Sequence, residues 1–179
     1  MKKFFLMTVV ALLACISTTA ANDKQFVGSF DRLAGVTKFN VTVDWSTYTI
    51  NNLNEEEWLR FRDAEQPQWD ATKELKDELK PRWLDLVEEA NKKLNKARTY
   101  LLADDHDQQY TIVIRPERLD KRGNQTDLVI IKDEKTGEEI VKFRITGKGG
   151  IFGTMSNLWG DGFRSAGGNL AKILLKQLK

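Results

Sequence analysis

The chain has 179 residues with 28 basic and 26 acidic side chains, one histidine and one cysteine. A single cysteine excludes an internal disulfide, and one histidine excludes a tetrahedral zinc site or a cysteine–histidine nucleophile once Cys15 is gone. Near-neutral charge gives no general electrostatic grip on nucleic acid or anionic lipid.

Lys2 and Lys3 precede an apolar run, Phe4 to Ala14, and small or polar residues follow up to Asp23. That order is a secretory signal, and the run is shorter than the ~20 apolar residues that span a bilayer. Residues 1–21 are therefore read as a signal peptide, which places the mature chain in the periplasm or outside the cell. Leu12-Leu13-Ala14-Cys15 also resembles a lipobox, so Cys15 is the candidate lipidation site and membrane attachment is expected only if it is acylated. Cleavage of the signal removes Lys2 and Lys3 and leaves acids and bases in balance.

Residues 22–36 have Phe26 and Phe30 as their large apolar anchors and read as an arm ordered by docking. The rest, 37–179, is expected to be a single domain. Phe39, Val41, Val43 and Trp45 alternate with polar residues and predict a strand, extending or turning back through 47–50. Asn54, with Glu57 three residues on, predicts a capped helix start. Apolar spacing of three or four, from Leu75 and Leu79 to Leu94, Ala97 and Leu101, predicts helix from about 70 to 102, broken or restarted at Pro81.

Asp104 to Asp107 read as a loop. His106 lies among three aspartates there, but neither calcium-loop spacing nor a serine motif accompanies it, so a solvated loop is the better reading. Tyr110 to Arg115 alternate as a strand ending near Pro116, and Arg118 to Gln125 read as a mobile or extended connection. Residues 128–132 and 140–145, joined by the turn residues Asp133 to Glu138, predict a hairpin. The glycine run Gly147, Gly149, Gly150, Gly153 fits neither phosphate-loop pattern and reads as a flexible connection. A last amphipathic helix is expected from about Gly162. The sum is an α+β domain, β-α-α-β-β-β-α, with helices on one face of a mixed, mostly antiparallel sheet of about four strands.

Tyr110 to Ile114, the hairpin phrase Asp133 to Ile140, the glycine loop and Arg164-Ser165-Ala166-Gly167 before an amphipathic tail resemble uncharacterised exported bacterial proteins. The layout of residues 108–179 is similar to the CsgG-like and TolB amino-terminal periplasmic α/β domains. That resemblance implies a cell-envelope assembly or binding role without catalysis. No membrane-spanning insertion of alternating strands is present to make a self-contained pore.

Three functional readings follow. An interaction module would work through protein contacts, with an envelope protein or a second copy as partner, and would bind no cofactor, metal or nucleic acid. Its contact residues would be the apolar members of the glycine loop, Ile151, Phe152, Leu158 and Trp159. A carboxylate-dependent hydrolase of envelope glycans would need an acid pair in a pocket. A small-ligand carrier would need a groove lined by Trp58, Trp69 and Trp83, whose helical spacing suits ordinary core packing better.

Overall fold

The structure is a computed structural model and describes residues 26–178. The signal segment 1–21, Cys15 and the start of the arm lie outside the described residues.

Among the described residues seven strands form one sheet. They are β1 (Val27–Gly28), β2 (Lys38–Val43), β3 (Thr49–Ile50), β4 (Tyr100–Ala103), β5 (Tyr110–Leu119), β6 (Gln125–Asp133) and β7 (Glu139–Gly147). The helices are α1 (Glu55–Glu65), α2 (Ala71–Lys73), α3 (Trp83–Leu94) and α4 (Met155–Gln177). Spatial order is β1-β7-β6-β5-β2-β4, with β3 pairing β5 beyond the end of β2. The class is α+β as expected, but the sheet is larger than four strands and its pairings divide evenly. β1–β7, β7–β6 and β6–β5 are antiparallel; β5–β2, β2–β4 and β3–β5 are parallel.

Alternation along the strands separates the two faces. Phe39, Val41, Ile112, Ile114, Val129, Ile131, Val141, Phe143 and Ile145 join α3 and α4 in one apolar core with Leu86, Ala90, Leu94, Phe163, Ala166 and Leu170. The other face carries the buried Asn40–Thr111 pair (Nδ2 to Oγ1, 3.1 Å) and ion pairs such as Arg115–Asp44 and Arg144–Glu117, both 2.7 Å.

Several elements differ from their sequence reading. The arm, read as ordered by docking, packs against the body and adds a strand to the sheet. Val27 and Gly28 pair with Lys142 and Val141, while Phe30 and Leu33 are buried, Phe30 packing against Phe143 with ring centroids 5.8 Å apart. The helical stretch from 70 restarts at Pro81 as expected, but the part before it is not regular α-helix. After α2 a π-helical turn covers Glu74–Leu79, and the Lys80 N–H donates five residues back to Leu75. Pro81 has no N–H to continue the ladder, so a short 3-10 turn, Lys80–Arg82, leads to a fresh helix at Trp83.

That helix ends near Ala97, not Leu102, because Arg98 turns left-handed (φ 55°) and the chain enters edge strand β4. Leu101 keeps helical spacing from Leu94 only by coincidence. Its backbone N–H and C=O are both held by the Asn91 amide at 2.8 Å. β5 runs past Pro116 to Leu119, because a bulge between Pro116 and Arg118 absorbs the missing N–H. The expected connection 118–125 is thus shortened to the turn 120–124, with Arg118, Leu119 and Gln125 already in strand. The β6–β7 hairpin and the Asn54–Glu57 capping box form where expected, each cap bond at 3.0 Å. Finally, α4 starts at Met155, one and a half turns or more before Gly162, with the Thr154 side chain capping the Asn157 N–H at 3.3 Å.

Candidate docking surface at one end of the sheet

The β5–β6 turn, the glycine run and the first turns of α4 meet at one end of the sheet, and glycine lets their backbones touch. A Cβ on Gly149 would lie 1.7 Å from the Arg122 carbonyl oxygen, one on Gly123 would lie 2.1 Å from that of Leu158, and one on Gly162 would lie 1.9 Å from that of Gly123. Gly147 is pressed the same way against the Gly162 carbonyl, 2.2 Å from where its Cβ would stand. Gly123 also has φ +81°, a conformation that side chains resist.

Polar bonds fix the same junction. Asp120 Oδ1 accepts from the N–H groups of Arg122 (2.8 Å) and Asn124 (3.0 Å), and Asp120 Oδ2 accepts from Asn124 Nδ2 (2.8 Å). Gly149 N–H donates to Asn124 Oδ1 (3.1 Å), and the Trp159 indole N–H donates to the Asp120 carbonyl (3.0 Å). The glycine run is therefore a packed junction and not a flexible connection.

The four sequence-nominated residues separate here. Trp159 and Leu158 belong to α4, not to a loop. Trp159 is fully buried and Leu158 is half-buried. Trp159 is thus a core anchor, unavailable to a partner. Ile151 and Phe152, by contrast, project from the loop 148–154 with 79% and 88% of their surface exposed. Beside them a shallow depression of about 290 Å³ is lined by Arg62, Lys121, Arg122, Ile151, Met155 and Leu158. Lys121, Arg122 and Lys148 are exposed, and none has a carboxylate partner among the described residues. The acids closest in the fold are engaged: Asp120 by its turn, Asp161 by Arg164 at 2.6 Å, Glu74 by Arg62 at 2.8 Å. Residue types alone could not show the basic rim, because Lys121 and Lys148 are far apart in sequence and only the β6–β7 register unites them.

A second recess of about 340 Å³, lined by Asn51, Asn52, Arg118, Asp120, Asn124, Gln125 and Thr126 among others, lies on the same turn. Asp120 is its one carboxylate, and the turn occupies both oxygens. Elsewhere the buried acids are Glu74, in a bidentate pair with Arg62, Asp133, in the β6–β7 turn, and Asp127. Asp127 is sealed in the core and its carboxyl is pushed up to about 8 by burial, opposed by one hydrogen bond from Gln125. No acid pair faces either recess.

Trp58 and Trp83 pack into the core, whereas Trp69 is exposed near Gln66, Pro67 and Gln68, so the three are not set around one groove. His106 stands exposed on its loop. Among the described residues no three histidine, cysteine or carboxylate side chains are placed to hold a metal ion, and no helix is long and apolar enough to cross a membrane.

Fold and site together define an α+β domain with a closely packed, apolar-tipped end flanked by basic side chains. No protein-family model matches the chain, and no curated protein matches it. Among solved structures it is similar to PelC dodecamers from Paraburkholderia phytofirmans. A leucine-to-methionine variant of that protein, in space group C2, shares 14% identity over 85% of this chain and 93% of that one, at TM-score 0.40. A second crystal form, in space group P6, shares 14% identity over 88% and 98%, again at TM-score 0.40. An uncharacterised protein shares 13% identity over 76% of this chain and 90% of that one, at TM-score 0.39. Likeness at this level says nothing about function.

Proposed function

We propose that this protein is an exported cell-envelope module that works by docking, not by catalysis, and that the Ile151–Phe152 end of the sheet is its contact face. The observation that carries this reading is a pair of adjacent, almost fully exposed large apolar side chains on a loop held at one end by the Gly149–Asn124 bond and at the other by the Thr154 cap of α4. Exposing them to water is unfavourable for the lone chain, and a clamped loop cannot fold them back into the core. A surface that covers them gains the burial energy without the entropic cost of ordering a floppy loop.

The amino-terminal pattern supports export, and acylation at Cys15 remains part of the proposal as the anchor that would hold the module at a membrane. The hydrolase reading draws its support from Asp127, the one carboxylate whose acidity is strongly altered, but that group is wholly enclosed. A catalytic acid must reach its substrate, so docking is the better reading.

Ile151→Ser/Phe152→Ser tests it. Both positions are solvent-exposed, so the thermal midpoint should stay within about 2 °C of the parent. Retention of the protein on its own envelope, and any complex seen by native mass spectrometry after gentle extraction, should fall at least about tenfold. Unchanged retention and unchanged complexes in a folded double variant would refute the assignment of this face.

A further inference from the structure

Two exposed apolar side chains could be covered by protein or by lipid, and the groups around them decide between the two. A protein interface core is poor in lysine and surrounds its apolar anchors with residues that pack. Here Lys121 and Arg122 on the β5–β6 turn line the depression with Ile151, Lys148 stands at the base of the loop, and none of the three has a carboxylate partner among the described residues. Apolar tips that reach the acyl boundary, ringed by cations at headgroup level, are the arrangement that binds anionic lipid. The balanced overall charge is no objection, because screening confines each cation's influence to about 10 Å and only the local cluster matters.

The path of the chain points the same way. β1 runs antiparallel to β7, with Val27 opposite Lys142 and Gly28 opposite Val141. Going upstream from Val27, the backbone therefore heads toward the Gly147 end of β7, the end that carries Lys148, Ile151 and Phe152. Any tether provided by residues 1–25 leaves from the side where the apolar tips stand. An extended chain from residue 15 to Phe26 reaches at most about 40 Å, which would hold that end against the surface where Cys15 was attached.

We infer that the Ile151–Phe152 end is a lipid-docking face: the two side chains insert into the interfacial layer of an anionic leaflet, while Lys121, Arg122 and Lys148 engage lipid phosphates. This names the covering surface for the contact face proposed above and rests on that reading. The face orients the domain with the β5–β6 turn and the start of α4 toward the membrane.

The test uses the full chain as isolated from its envelope, and vesicles of phosphatidylcholine with or without about one-third phosphatidylglycerol, read by co-flotation. The parent should float with the anionic vesicles. Ile151→Ser/Phe152→Ser should lower partitioning at least about tenfold. Each of Lys121→Gln, Arg122→Gln and Lys148→Gln should lower it about fivefold at low salt, an effect lost near 1 M NaCl, where the screening length is about 3 Å. Equal flotation of the parent and the apolar double variant would overturn the inference and leave any tether as the sole attachment. Equal binding to neutral and anionic vesicles would overturn the role of the cations. Loss of a protein complex by the double variant, with flotation unchanged, would overturn lipid as the covering surface but keep the docking face. If flotation and complexes are both unchanged, the docking face fails too.

Discussion

Asp127 lies on the core face of β6 between Pro116 and Ile145, fully buried, and receives one hydrogen bond, 2.9 Å from Gln125 Nε2. Its Oδ1 and the Oε1 of Gln125 both lack a partner. An ionised carboxyl can only accept, so the pair holds one donor too few; a proton on Asp127 adds a donor where two acceptors are idle. Burial raises this carboxyl from its ordinary 3.8 to about 8. With the folded value above the unfolded one, the protonated group's stabilisation is complete below about pH 4 and is lost as pH rises toward 8. Asp127→Asn keeps the shape and carries its own N–H donors at every pH. It should therefore match the parent near pH 4 and exceed it by a few kcal/mol near pH 8, as read from urea unfolding at both pH values. An equal gain at both pH values would mean that Asp127 does not titrate in this range. Nothing in the sequence marked this residue. Asp127 precedes the apolar run Leu128 to Ile131 that reads as the strand, whereas β6 begins at Gln125 and pairs Asp127 with Pro116 and Ile145, in phase with Val129 and Ile131 on the core face.

The same scale separates two aromatic residues that look alike in sequence, Phe152 and Trp159. Phe152→Ser removes an exposed ring and should change stability by no more than about 0.5 kcal/mol. Trp159→Ser empties a fully buried site and leaves the Asp120 carbonyl without its indole donor, so a loss of about 3–5 kcal/mol is expected in the same unfolding assay. Comparable losses in the two variants would mean that Phe152 packs inward.

At the level of elements, most of the fold is written in local pattern. The β6–β7 hairpin follows from two alternating runs around Asp133–Glu138, and the α1 start from the reciprocal Asn54–Glu57 bonds. What pattern could not supply is where non-local contact overrides propensity. Gly160, following the glycine run, makes 155–161 look like loop, yet α4 already runs through it, and Gly162 and Gly167 within the helix face backbone that leaves no room for a Cβ. Gly167 faces the Leu86 carbonyl of α3, 2.2 Å from where its Cβ would sit, and Gly160 faces the Arg82 guanidinium at 2.1 Å. Helix propensity is given up there, about 1 kcal/mol per glycine, in exchange for close helix packing.

That distinction can be measured in loops as well. Gly123 and Gly137 both have left-handed φ, +81° and +72°, but only Gly123 is crowded, whereas nothing lies within 4 Å of a Cβ on Gly137. Gly137→Ala should cost roughly 1 kcal/mol, the backbone penalty alone. Gly123→Ala must also push α4 off the turn and should cost at least about 3 kcal/mol. Equal costs in denaturant unfolding would show that the junction is loose.

For the whole molecule, the informative boundary is the one at residue 36. Composition divides the arm 22–36 from a body starting at 37, since the arm has few apolar residues and no period. In space the arm closes the molecule. β1 caps the β7 edge, Phe26 and Phe30 meet Phe143 with centroids 5.6 and 5.8 Å away, Leu33 is fully buried, and Arg32 pairs with Glu138 at 2.6 Å. Aromatic contacts and an edge pairing come from so short a segment because its apolar residues land against the core, which composition averaged over the segment conceals. A chain beginning at Thr37 should accordingly lose more than the ~3–5 kcal/mol of a single buried Phe→Ala. It should also expose the β7 edge, so that it unfolds or self-associates at temperatures where the parent is intact. A Thr37 chain with the parent's circular dichroism, thermal midpoint and mass in solution would show instead that the arm is an appendage, and the direction of β1 would then say nothing about how the apolar end is held to a surface.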